Sequence, residues 1–212
     1  ASQTNINSGG VQRISTGGIA SGTNLSSGGL QIISAGGSGV SAVVSAGGSQ
    51  SVLSGAIDSN TTVLVEGVQT VAGTALSAVL AGGSQKVASG GVASRTVVNG
   101  DGVQTLSSGG SALSATVSAG GSQSVLAGGQ ETSAMILLGG VQTVAGTAVS
   151  DVLSGGSQSI ASGGLGSKTI ISSGGVQSIS SGGSALSATV STGGLQSVLL
   201  GALGSSATIL VG

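Results

Sequence analysis

The side chains able to do acid–base chemistry are few: Asp58, Glu66, Asp101, Glu131 and Asp151, with no His and no Cys anywhere in the chain. Triads built on His, Cys–His pairs and zinc sites of the His or Cys type are therefore excluded. Paired carboxylates remain, as used in polysaccharide cleavage, and these must stand about 5 to 9.5 Å apart. Asp58 and Glu131 are the one pair in equivalent positions, 73 residues apart by number. If each repeating unit described below adds one strand spacing along an axis, that separation places them about 19 Å from each other. The expectation is that all five acids are solvated surface charges and that the chain is not an enzyme, with no metal and no cofactor.

Glycine-rich segments invite two further readings. A phosphate-binding loop needs Lys and Ser or Thr after its glycines, and none follows here. A calcium-binding roll needs an Asp at every turn, whereas only the corner Asn99-Gly100-Asp101-Gly102 supplies one. The absence of Phe, Tyr and Trp removes sugar stacking. Arg13, Lys86, Arg95 and Lys168 are scattered singly, so no basic stripe exists for nucleic acid. No apolar run approaches the roughly 20 residues of a membrane span, and no charged leader opens the chain, which reads as a mature or excised piece.

The elements that would position these side chains come from a repeat. Gln recurs at 12, 31, 50, 69, 85, 104, 123, 142, 158, 177 and 196, in steps of 19 interrupted by two steps of 16. A 73-residue shift lays VQTVAGTA at 68–75 on the same string at 141–148, and SALSATVS at 111–118 on 184–191. Two places after each Gln stands Ile14, Ile33, Val52, Val71, Val87, Leu106, Val125, Val144, Ile160, Ile179 or Val198, with a mostly polar residue between. Such alternation marks a strand with one buried face. A second aliphatic column contains Leu25, Val44, Val63, Val98, Val117, Ile136, Ile171, Val190 and Ile209, joined by Val79 and Val152 if the three missing residues of the short units are taken from one place, after Gly73 in the first of them. Thr23, Ala42, Thr61, Thr96, Ala115, Ala134, Thr169, Ala188 and Ala207, two places earlier, set a narrow interior.

Two strands per unit, each followed by a glycine corner, predict an all-β parallel β-solenoid of about eleven coils over residues 1–212, a segment of a longer array closed by two or three sheets. Gly is abundant, 44 of 212 residues, but mean hydropathy is +0.54 and only 4% of residues are charged, the reverse of a disordered composition. Gln shares the parity of its aliphatic neighbour, which points to stacked side-chain amides running along the axis; a solvated corner is the alternative.

The residues just before the second aliphatic column should face outward. They read Asn24, Val43, Thr62, Val97, Thr116, Met135, Ile170, Thr189 and Thr208, a weakly charged, mostly β-branched stripe. A self-association face through Thr62, Val97, Thr116, Met135, Ile170, Thr189 and Thr208 is one reading. Partial burial under a corner or third sheet is the other. Leu53, Leu64 and Val65, then Leu126, Leu137 and Leu138, then Leu199, Leu200, Leu210 and Val211, fall where a short unit follows or would follow, and are expected to cover the step it leaves.

The unit GGVQSISSGGSALSATVSTGG at 174–194 resembles the repeat of AIDA-type self-associating autotransporter adhesins, and the likeness runs over essentially the whole chain. The resemblance implies a right-handed β-helix displayed on the bacterial cell surface or outside the cell. It also implies self-association and adhesion to host or bacterial surfaces, with Ser and Thr open to glycosylation. The rival reading is a structural or filament-forming secreted solenoid whose coils stack end to end.

Overall fold

The computed structural model describes residues 2–210, which form a parallel β-solenoid of three sheets. Each coil contributes one short strand to each sheet, as in Val103–Leu106, Ser111–Leu113 and Thr116–Val117. We call the three the glutamine, alanine and aliphatic sheets after their inward residues. They contain 11, 11 and 12 strands, and every strand pairs in parallel with its copy one coil away. No helix is present among the described residues.

The alanine sheet is the element that the two-strand reading omits. Its inward column runs Ala20, Gly39, Asp58, Ala75, Ala93, Ala112, Glu131, Ala148, Gly166, Ala185 and Gly204, in continuous register. Small side chains here let this sheet lie close to the buried glutamines opposite. Between the alanine and aliphatic sheets the chain turns through two residues, the first in the left-handed region: Ser114 has φ of 56° and Ser133 of 63°. That geometry aims the corner N–H at the next coil, Ser114 donating to the Thr132 carbonyl and Ser133 to that of Val149, each at 2.8 Å. Interstrand pairing thus continues round the bend, which repays a backbone conformation unfavourable for L-residues.

The other two corners use glycine for two different reasons. In Gly120-Gly121 the first residue has φ of 80°, while a Cβ on the second would overlap the carbonyl oxygen of Val98 in the coil before. The pair therefore combines a left-handed turn with contact between coils that excludes any side chain.

The 16-residue coils lose their three residues in two places. Four residues connect Ser49–Val52 to Ile57–Ser59, but only two connect Val68–Val71 to Thr74–Leu76. The third is lost at the last corner, where 64–67 is matched by 81–83. This corrects one assignment. Leu80 and Leu153, not Val79 and Val152, face inward: Leu80 pairs with Val63 and Val98, Leu153 with Ile136 and Ile171, and both are fully buried. Val79 and Val152 stand in the outward column instead, because a single-site deletion of three displaces the count by one and one residue reverses a strand's faces.

At the steps, Val65 leans on Gly82 and Leu138 on Gly155. They remain 62% and 77% exposed, so the cover is partial. Val211 lies outside the described residues.

The inward assignment is checked by paired truncation. Leu80→Ala is expected to cost about 2 to 5 kcal/mol in denaturant unfolding, as for other buried Leu positions. Val79→Ala should stay within about 0.5 kcal/mol. The reverse order would restore the single-site deletion.

Candidate functional site

The outward column of the aliphatic sheet brings the predicted stripe together. Thr62 pairs in register with Val43 and Val79, and Val97 with Val79 and Thr116. Thr116 pairs with Met135, and Val152 connects Met135 to Ile170. Thr189 follows Ile170 and is followed by Thr208. None of these side chains is buried; Met135 is 46% and Ile170 44% exposed. In two-residue strands such as Thr116–Val117 the stripe is the whole outward face, whereas in three-residue strands such as Thr62–Leu64 and Met135–Leu137 the third residue faces outward beside it. Val79 and Val152 complete it where the sequence count left gaps.

Inside, the glutamines form the second organised feature. Nine of the eleven, Gln31 through Gln177, are fully buried, with Gln12 and Gln196 partly so. From Gln31 onward each donates through Nε2 to Oε1 of the glutamine one coil earlier, at distances from 2.5 Å for Gln158 to Gln142 up to 2.8 Å for Gln31 to Gln12. Ten hydrogen bonds therefore run in one direction along the axis, which satisfies amides that would otherwise be costly to bury.

Three acids join this ladder, which overturns their reading as solvated charges. Asp58 accepts from Gln50 at 3.0 Å and from Gln69 at 2.8 Å, one bond to each carboxyl oxygen. Gly39 leaves the room, since a Cβ there would meet Asp58 Oδ1 and the Ile33 side chain. Glu131 accepts from Gln123 at 2.5 Å through Oε2, while its Oε1 is buried without a partner. Asp151, at the second corner of a short coil, accepts from the Ala134 N–H at 3.0 Å and from Gln158 at 3.1 Å. Only Glu66 and Asp101 are exposed, as are all four Lys and Arg residues.

Burial raises all three pKa values. Asp58 rises from 3.8 to about 6, against the lowering influence of the Thr61 hydroxyl, which has no partner of hydrogen-bonding geometry, and of Gln50 and Gln69. Asp151 rises to about 6 against its Gln142, Ala134 and Gln158 donors. Glu131 reaches about 8, because burial is reinforced by the negative charge of Asp151 and only partly offset by the Gln123 side chain and the Ala115 and Thr132 backbone N–H groups. The signal available in the sequence was the 73-residue equivalence of Asp58 and Glu131, together with the Ala and Gly residues of their column. These carboxyls face the interior, out of reach of a polysaccharide chain.

A three-sheeted repeat solenoid with an ordered outer column and a hydrogen-bonded core defines a parallel β-helical rod. No family model matches the chain, and no curated protein matches it. Among solved structures it is similar to the crystal structure of a TibC-catalysed, hyper-glycosylated fragment of TibA, with 31% identity and a TM-score of 0.79, over 99% of this chain and 98% of that one. The chain belongs to the AIDA-type autotransporter adhesin passengers.

Raised carboxyl pKa values carry a sign. Between the unfolded and folded values the folded state binds more protons, so stability falls as pH rises. The loss should run from about 4 to 6 for Asp58 and Asp151 and extend to about 8 for Glu131. Unfolding free energy is expected to be several kcal/mol lower at pH 9 than at pH 4, with Glu131→Gln flattening the upper part of the curve. Urea titrations across this range would contradict the assignment if stability rose with pH.

Proposed function

We propose that this chain is a stretch of a bacterial surface adhesin rod, displayed outside the cell, that promotes self-association and adhesion through the outward column of its aliphatic sheet. The observation that carries the reading is the alignment of Thr62, Val79, Val97, Thr116, Met135, Val152, Ile170 and Thr189 into one outward-facing, uncharged file in register over successive coils, half-buried except at the exposed Met135 and Ile170. Family membership supports it. So does the distribution of charge, because six exposed ionic groups over the whole rod give copies little mutual repulsion. The partner is a second copy of the rod or a host or bacterial surface. Exposed Ser and Thr residues on the corners, such as Ser54, Ser108 and Ser181, are the positions open to sugar attachment. The similar TibA fragment is itself described as hyper-glycosylated.

Like charges on a sheet face are how natural proteins discourage pairing. The triple variant Thr116→Lys, Met135→Lys, Ile170→Lys places three within four successive coils of the file without touching the interior. Cells displaying it, and purified rods in sedimentation, should cease to clump while the melting temperature stays within a few degrees of the parent. Wild-type association should be only weakly salt-dependent. Clumping that persists in the variant would remove this file as the contact face, and parent rods that stay monomeric at high concentration and bind no cell would favour an inert structural rod.

A further inference from the structure

The two steps from a 19- to a 16-residue coil are built alike outside and differently inside. Each ends its regular pairing with an isolated antiparallel bridge, Leu64 to Gly82 in the first and Leu137 to Gly155 in the second. Each has an inward acid on the long side, Asp58 or Glu131. On the short side, however, the first step has Ala78 where the second has Asp151. One step therefore encloses a single carboxyl with both oxygens hydrogen-bonded to ladder amides, and the other encloses two carboxyls, one of which has a ladder amide on Oε2 only, the Ala115 and Thr132 backbone N–H groups lying near it without completing a hydrogen bond to Oε1.

No cation is available to balance the second step. Along the alanine sheet Glu131 is flanked by Ala112 and Ala148, in register with it on either side. From the glutamine sheet it meets Gln123, with Gln142 in the next coil; from the second corner come Ala115, Ala134 and Asp151. Of these only Asp151 titrates. Arg13, Lys86, Arg95 and Lys168 are all on the outside.

We propose that the Glu131–Asp151 step is an alkaline latch: ionisation of both carboxyls opens the rod locally to water at this step, while the Asp58 step and the plain coils between them stay closed. Two like charges in a low-dielectric interior repel far more strongly than in water, and the cheapest relief is admission of solvent at the place where interstrand pairing is already irregular. Asp58 differs because no second carboxyl stands beside it, Ala78 taking the place of Asp151, and its ionised form keeps two amide donors. The pKa ordering agrees, Glu131 being the last of the three to lose its proton. Such a step gives the rod one place that admits water under alkaline conditions and closes on acidification.

Hydrogen exchange by mass spectrometry on the intact chain at pH 6 and pH 9, corrected for intrinsic rates, reads each segment against the others in the same molecule. Protection over 130–156 should fall at least tenfold from pH 6 to pH 9 relative to 85–113, with 57–83 following 85–113. The double variant Glu131→Gln, Asp151→Asn should abolish that difference, and Glu131→Gln alone should reduce it if the double variant does not fold. Equal loss of protection in all three segments, no loss at 130–156, or a pH response that survives in a folded variant would each overturn the latch.

Discussion

A buried primary amide has to be paired on both its N–H and its C=O sides, and inside this rod the available partner is the same amide one coil away. That requirement constrains almost everything else. It fixes coil-to-coil register, since a glutamine displaced by one residue would face solvent and leave its neighbours with an unmet donor and acceptor. The coils must also rise by one interstrand spacing at every step, including the two where residues are missing: Gln85 still reaches Gln69 at 2.6 Å and Gln158 reaches Gln142 at 2.5 Å across the 16-residue coils. The shortening is absorbed at the corners because the ladder leaves no freedom elsewhere. Close coil contact in turn excludes side chains from the second glycine of each pair.

The same interior explains why acids can be placed there at all. Gln amides each carry a second N–H, and Asp58, Glu131 and Asp151 take up such donors. A carboxyl in an all-aliphatic solenoid would be an orphan; beside the ladder it is a tuned proton site whose behaviour depends on how many amides reach it. Function is divided accordingly. The inside determines register and pH response, and the outside, freed from any structural duty beyond alternation, is left to contact other surfaces.

What could be read from the sequence follows from which columns have a chemical signature. Gln at every coil and an aliphatic residue two places later are conspicuous, and the strand they define lies where the alternation puts it. The alanine sheet was not legible, because its inward residues Ala20, Gly39, Ala75 and Gly166 look like corner residues rather than a hydrophobic face. Its turn into the aliphatic sheet was hidden too, since left-handed geometry there falls on Ser114, Ser133 and even Arg95 rather than on glycine. The inward assignment of Val79 and Val152, where Leu80 and Leu153 belong, comes from counting the three missing residues as one event. The outward stripe was legible apart from Val79 and Val152, which that same count displaced. Burial of the acids required knowing that a third column existed for them to occupy.

The central claim is that the glutamines are a continuous internal ladder, and their own side-chain protons report on it directly. In solution NMR on the glutamine-labelled chain at acidic pH, the account predicts slowly exchanging side-chain amide protons for the nine buried residues from Gln31 to Gln177, with Gln12 and Gln196 faster. Exchange of all eleven at the rate of free glutamine would contradict it.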